Sequence, residues 1–220
     1  MIPHEEVWEH LAPIHARILE HPFVTGLTDG TLARPAFARY VVQDELFLAE
    51  YARALALCGA RAADLPTLTM FCNDATGAIG VERELHARLL DALGVGRAVL
   101  GSTGPTPTCA AYTDYLLRTA ALGERHEAIA AVLPCYWIYW EVGRELARRG
   151  SRDPLYAEWI TTYADPGFGA AVEGCRAAFD AAMTGASDGA RQAALAHAVR
   201  AARYEWMFWD AAYRDEQWPV

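Results

Sequence analysis

The sequence predicts an all-α fold, a single helical bundle spanning residues 1–220. Three observations carry this reading. Helix-forming residues dominate, alanine above all, and apolar residues recur at spacings of three and four. The Val-Ile-Thr alternation typical of strands is nearly absent. Gly- and Pro-marked breaks at 26–35, 59–66, 94–107, 123, 150–154, 165–167 and 185–189 leave about eight helical segments between them. No stretch reads as a flexible linker, a repeat or a low-complexity tract. The many alanines let helices approach closely.

Three segments carry polar groups where a core helix should be apolar. The first, about 36–57, has an inward stripe of Phe37, Tyr40, Val41, Phe47, Leu48 and Tyr51. Asp44 falls in the middle of it. A carboxylate there loses its water, which costs several kcal/mol unless something pairs with it. Such an Asp either bonds to a neighbouring helix or binds a ligand. On the next helix, Glu82 and His86 are four apart. They are too few for a metal site, and read as a Glu orienting a His or as a helix-surface pair.

The second segment, about 124–149, contains Pro134-Cys135-Tyr136-Trp137-Ile138-Tyr139-Trp140. Pro134 lies inside it, removing a backbone donor and bending the helix. Cys135 and Tyr139 share a face. A free cysteine usually behaves as a small core hydrophobe, and Cys58, Cys72, Cys109 and Cys175 are read that way. Cys135 differs in its company, one turn from a phenol in the most aromatic part of the chain.

The third segment, about 188–213, has a stripe of Leu195, Ala198, Ala202, Glu205, Phe208 or Trp209, and Ala212. Glu205 is again an acid on an apolar face. It is either half of a buried ion pair or a carboxyl whose burial lets it hold a proton near neutrality. Tyr112 and Tyr163 are weaker candidates, since a lone tyrosine is commonly half-buried packing.

Composition excludes several functions. The net charge is -9, which disfavours nucleic-acid binding. There is no lysine, so all 19 basic residues are arginine, and Schiff-base and GxxxxGK[ST] chemistry are excluded. Five cysteines without a CxxC pair argue against a disulfide framework or a zinc site and fit a cytoplasmic protein. Neither a signal-peptide pattern nor a run long enough to span a membrane is evident, so a soluble protein is expected.

Seven fragments in chain order resemble the TenA family, also called thiaminase II. They are His21-Pro22-Phe23 with Gly30-Thr31-Leu32; Phe37-x-x-Tyr40-x-x-Gln43-Asp44; Glu82-x-x-x-His86; Thr108-x-x-x-Tyr112-x-x-Tyr115-Leu116; Leu133-Pro134-Cys135-x-Trp137-x-Tyr139; Trp159-Ile160-x-x-Tyr163; and Glu205-x-x-Phe208-Trp209-Asp210. The resemblance implies a haem-oxygenase-like helical bundle, a homotetramer and no metal or organic cofactor. It implies hydrolysis of 4-amino-5-aminomethyl-2-methylpyrimidine to the hydroxymethyl pyrimidine, with thiamine as a second substrate. Cys135 matches the nucleophile and Glu205 the carboxyl that donates a proton. Asp44 matches the carboxylate that binds the pyrimidine amino side, and Tyr112, Tyr139 and Tyr163 match pocket residues. Phe47 stands where the family has Tyr or Phe; it can stack but cannot donate. Two other readings compete: a non-catalytic pyrimidine binder or regulator, and a haem or di-iron oxygenase with His15 as a haem ligand.

Overall fold

The structure, a computed structural model, describes residues 4–96 and 101–220, with the side chains of 81–84 outside the described set. The described residues form nine helices and no strand. These are α1 (His4–Leu19), α2 (Pro22–Asp29), α3 (Arg34–Ala60), α4 (Leu65–Ala92), α5 (Pro107–Leu122), α6 (Arg125–Ala147), α7 (Pro154–Tyr163), α8 (Pro166–Met183) and α9 (Asp188–Arg214). Proline placement explains most of the starts. Pro22, Pro35, Pro66, Pro107, Pro154 and Pro166 all sit in a first turn. There the missing N–H costs nothing and the fixed φ favours the helix. The side chains of Asp64, Thr106, Asp153, Asp165 and Ser187 accept from the orphan N–H groups that follow them.

The break expected at 26–35 is narrower than the sequence suggested, and an unmarked break at 20–21, ahead of Pro22, adds a helix. Helix α2 runs through Gly26 and stops at Gly30, whose φ of 70° is left-handed. Gly26 stays helical for a packing reason. A Cβ there would meet the Leu32 backbone N at 3.0 Å, so only glycine lets the chain fold back this closely.

Helix α6 is the centre of the bundle. Residues 128–139 are buried without interruption, as expected of a helix apolar on all sides. It packs on α9, α8, α5 and α7, while α3 packs chiefly on α4 and then on α5 and α9. The helix continues through Pro134. Two glycines set how near its neighbours come. A Cβ on Gly143 would stand 2.5 Å from the Tyr163 carbonyl carbon, and one on Gly169 2.6 Å from the Trp140 ring. The end of α7 is therefore pressed onto α6, which fixes Tyr163 beside Tyr139. None of the helices among the described residues is long and apolar enough to cross a membrane.

Candidate active site

A cavity of about 740 Å³ opens between α3, α4, α6, α7 and α8. Five of the residues singled out from the sequence line it: Asp44, Phe47, Cys135, Tyr139 and Tyr163. The other two, Tyr112 and Glu205, are not in the lining. They sit in the layer behind the Cys135 wall, 0% and 1% exposed, and are joined by a hydrogen bond from the Tyr112 hydroxyl to Glu205 Oε1 of 2.5 Å. The Cys135 thiol also bonds to the Glu205 carboxyl.

Complete burial drives the electrostatics of this layer. It lifts the Glu205 carboxyl to about 8, and the Asp44 charge pushes the same way. Hydrogen bonds from Tyr112 and Cys135 favour the carboxylate and pull back against that rise. Burial also raises the Tyr112 phenol well above its ordinary value, with the Glu205 charge adding to it. The Tyr139 phenol is raised in the same direction, again first by burial; it accepts from the Tyr40 hydroxyl at 3.1 Å.

Aromatic rings form the rest of the enclosure. Tyr139 and Tyr163 have centroids 4.8 Å apart, and Trp209 closes on Tyr139 at 5.0 Å. Phe47 packs on Tyr112 at 5.0 Å, on Phe208 at 5.5 Å and flat against Tyr51 at 5.5 Å. Flat, largely apolar walls with a few converging polar groups suit a planar heterocycle.

The opposite wall holds a feature that the sequence only hinted at. His86, on α4, is 1% exposed and stands between two acids of α3. Its Nε2 is 3.1 Å from Asp44 Oδ2 and its Nδ1 3.1 Å from Glu45 Oε2. The expected partner of His86, Glu82, lies outside the described side chains. The reading of a helix-surface pair is corrected: His86 is a core residue whose described partners come from the neighbouring helix. Asp44 is thus both bonded to a neighbouring helix and placed on the cavity wall.

Two more residues were not singled out. The Tyr51 hydroxyl, two turns along from Asp44, donates to the Val132 carbonyl at 3.0 Å. Asp74 lines the cavity and accepts from the Tyr136 hydroxyl at 2.8 Å; burial raises its carboxyl. Phenols do stand near the thiol despite Phe47: a thiolate at Cys135 would raise both Tyr51 and Tyr112. Each spends its proton on another acceptor. The other buried cysteines, Cys58, Cys109 and Cys175, keep to packing, whereas Cys72, read as a core residue, is exposed on α4. Burial pushes the thiols of Cys58 and Cys109 up to about 12 and raises that of Cys175 as well. His15 packs on the Trp8 ring at 5.3 Å and is not part of the cavity wall.

Comparison with known proteins agrees with this geometry. Residues 8–215 match the TENA/THI-4/PQQC family. The chain belongs to that family. It is 35% identical to the aminopyrimidine aminohydrolase of Bacillus subtilis over 90% of this chain and 84% of that protein. It is 37% identical to the thiamine biosynthesis multifunctional protein ThiED of Corynebacterium efficiens over 94% of this chain, but spans only 28% of that longer protein. The TenA homologue from P. horikoshii OT3 superposes with a TM-score of 0.88 at 28% identity, covering 97% of this chain and 99% of that one. A Shewanella denitrificans domain with a heme oxygenase-like fold superposes at a TM-score of 0.73 and 16% identity, over 98% of this chain and 94% of that one. The fold class is therefore the helical, haem-oxygenase-like one expected.

Proposed function

We propose that this chain hydrolyses thiamine-related aminopyrimidines, with Cys135 as the nucleophile and Glu205 as the proton carrier. One observation supports this above others: a cavity-wall thiol bonded to a fully buried carboxyl whose pKa is about 8. Such a carboxyl holds its proton at neutral pH, yet releases it at little cost.

The pyrimidine lies among the Tyr139, Tyr163 and Phe47 rings, its amino side toward Asp44. Glu205, in the layer behind the Cys135 wall, gives its proton to the ring nitrogen that docks against that wall, which makes the adjacent carbon electrophilic. The resulting carboxylate takes the Cys135 proton, and the thiolate adds to that carbon. The electrons of the adduct then expel the substrate's own ammonium group as ammonia from the exocyclic methylene, or the thiazolium as neutral thiazole when thiamine is the substrate. Water adds to the methylene, and its proton goes to the departing base. The carbon–sulfur bond breaks, the thiolate takes the proton held by Glu205, the ring nitrogen returns its proton to Glu205, and the hydroxymethyl pyrimidine leaves. The aromatic walls keep bulk water from the adduct.

The family's other expectations stand as part of this proposal. We place the protein in the cytoplasm, in keeping with cysteines that are all free. We also assign it a homotetramer, for which the exposed Met207, Tyr213 and Trp218 offer apolar surface; sedimentation would test the assembly. The reaction is tested by turnover of 4-amino-5-aminomethyl-2-methylpyrimidine against thiamine, wild type beside Cys135→Ser. Ammonia release by wild type alone is the expected result. A Cys135→Ser enzyme of undiminished rate would remove the covalent route. Wild type inert toward both compounds would remove the reaction itself.

A further inference from the structure

Nothing in the proposed reaction uses His86, although it is among the most buried polar residues of the chain. Its two ring nitrogens each face a carboxylate oxygen at 3.1 Å, Asp44 on one side and Glu45 on the other. A neutral imidazole carries one N–H and can donate to one of them. A ring protonated on both nitrogens donates to both, and its charge compensates the acids beside it. Asp44 is only 3% exposed, so without such a partner its carboxylate would be buried and uncompensated.

We infer that His86 is the positioning residue for Asp44, bridging the consecutive acids Asp44 and Glu45 so that one Asp44 oxygen is held and the other is presented to the amino side of the substrate. The geometry carries this. Asp44 and Glu45 are adjacent on a helix, so their side chains diverge by about 100° around its axis. A single rigid ring from α4 meets both and ties down the one that lines the cavity. A carboxylate fixed at one oxygen loses little freedom on binding an amino group. This inference takes its substrate from the aminopyrimidine reading, but the bridge itself is a claim about the free protein.

Two measurements test the two parts separately. In the free protein labelled with ¹⁵N-histidine, His86 should show two downfield, slowly exchanging ring N–H protons, identified by their loss in His86→Gln. Asp44→Asn should shift one of the pair. A single ring proton, or a pair indifferent to Asp44→Asn, would overturn the bridge whatever the enzyme turns over.

The second measurement is a kinetic cycle with circular dichroism as the control for folding. His86→Gln and His86→Leu should raise KM for the aminopyrimidine about tenfold or more, with a smaller effect on kcat, and Gln should retain more binding than Leu. In an Asp44→Asn background the same substitutions should change KM by less than about threefold. Equal losses in both backgrounds would make His86 a general scaffold residue and sink the positioning role. Should Leu fail to fold, Gln still closes the cycle. Wild type without turnover would count against the proposed reaction, leaving the ring-proton measurement to judge the bridge.

Discussion

The two acids of the site live in opposite surroundings. On the α3–α4 side, Asp44 is met by an imidazole that another acid backs from behind. On the α5–α9 side, Glu205 is met by a phenol and a thiol, both uncharged donors, in a fully buried layer. The same functional group thereby acquires different chemistry. A carboxyl bonded to an imidazole is suited to binding a cationic or amino edge. A desolvated carboxyl with its value near 8 is suited to carrying a proton back and forth. The sequence left open which acid is which; the burial that lifts Glu205 to about 8 favours Glu205 as the proton carrier.

Neutralising each acid in turn should separate their roles most clearly. Glu205→Gln keeps the shape and can accept or donate a hydrogen bond, but cannot shuttle a proton. We expect kcat to fall by about 10²- to 10⁴-fold, with KM nearly unchanged. Asp44→Asn should act in the other sense, raising KM more than it lowers kcat. Steady-state kinetics of the two variants decides the matter. If Glu205→Gln acted mainly on KM, the division of labour would be reversed.

A pH series separates the two acids by a second route. Activity that needs protonated Glu205 falls as pH rises through about 8. The Asp44 charge raises Glu205, so Asp44→Asn should move that alkaline limb to lower pH. The Tyr112 hydrogen bond lowers Glu205, so Tyr112→Phe should move it to higher pH. The substrate's own titration is common to all three enzymes and cancels in the comparison. Limbs that stayed together would mean that another group controls them.

The same carboxyl should leave a mark on stability. Its folded value, about 8, lies above the ordinary 4.5. Between those values the folded protein binds the extra proton. The stabilisation is complete below about pH 4.5 and is lost as pH rises toward 8, at up to about 1.4 kcal/mol per pH unit. Denaturant melts of wild type and Glu205→Gln, subtracted across that range, isolate this slope from the histidines, several of which titrate within it. A flat difference curve would show that Glu205 is not held protonated.

The contrast between the acids was only half legible in the sequence. That Asp44 and Glu205 are buried followed from apolar recurrence at three and four, which is a local signal. The stripe on α9 was nearly right: Ala194 is buried where Leu195 was placed, and Leu195 is half-buried. Helix α2 escaped notice because eight residues give periodicity little to work with and Gly26 looks like a breaker. What Asp44 is bonded to could not be read at all. His86 lies 42 positions away, and only the packing of α3 on α4 brings them together. Glu82, four residues from His86, lies outside the described side chains.

Tyr51 provides the finest test of the same contrast. Its phenol, like that of Tyr112, stands near the thiol, but its hydroxyl goes to the Val132 carbonyl and not to Glu205. If Glu205 alone controls the alkaline limb, Tyr51→Phe should leave that limb where it is. Loss of one buried hydrogen bond should lower stability by about 1 kcal/mol, read as a fall in melting temperature. Tyr112→Phe would then move the limb and Tyr51→Phe would not, although both remove a buried phenol beside Cys135. A limb that moved equally in both would transfer control from the carboxyl to the thiol, because the thiol is the one group both phenols face.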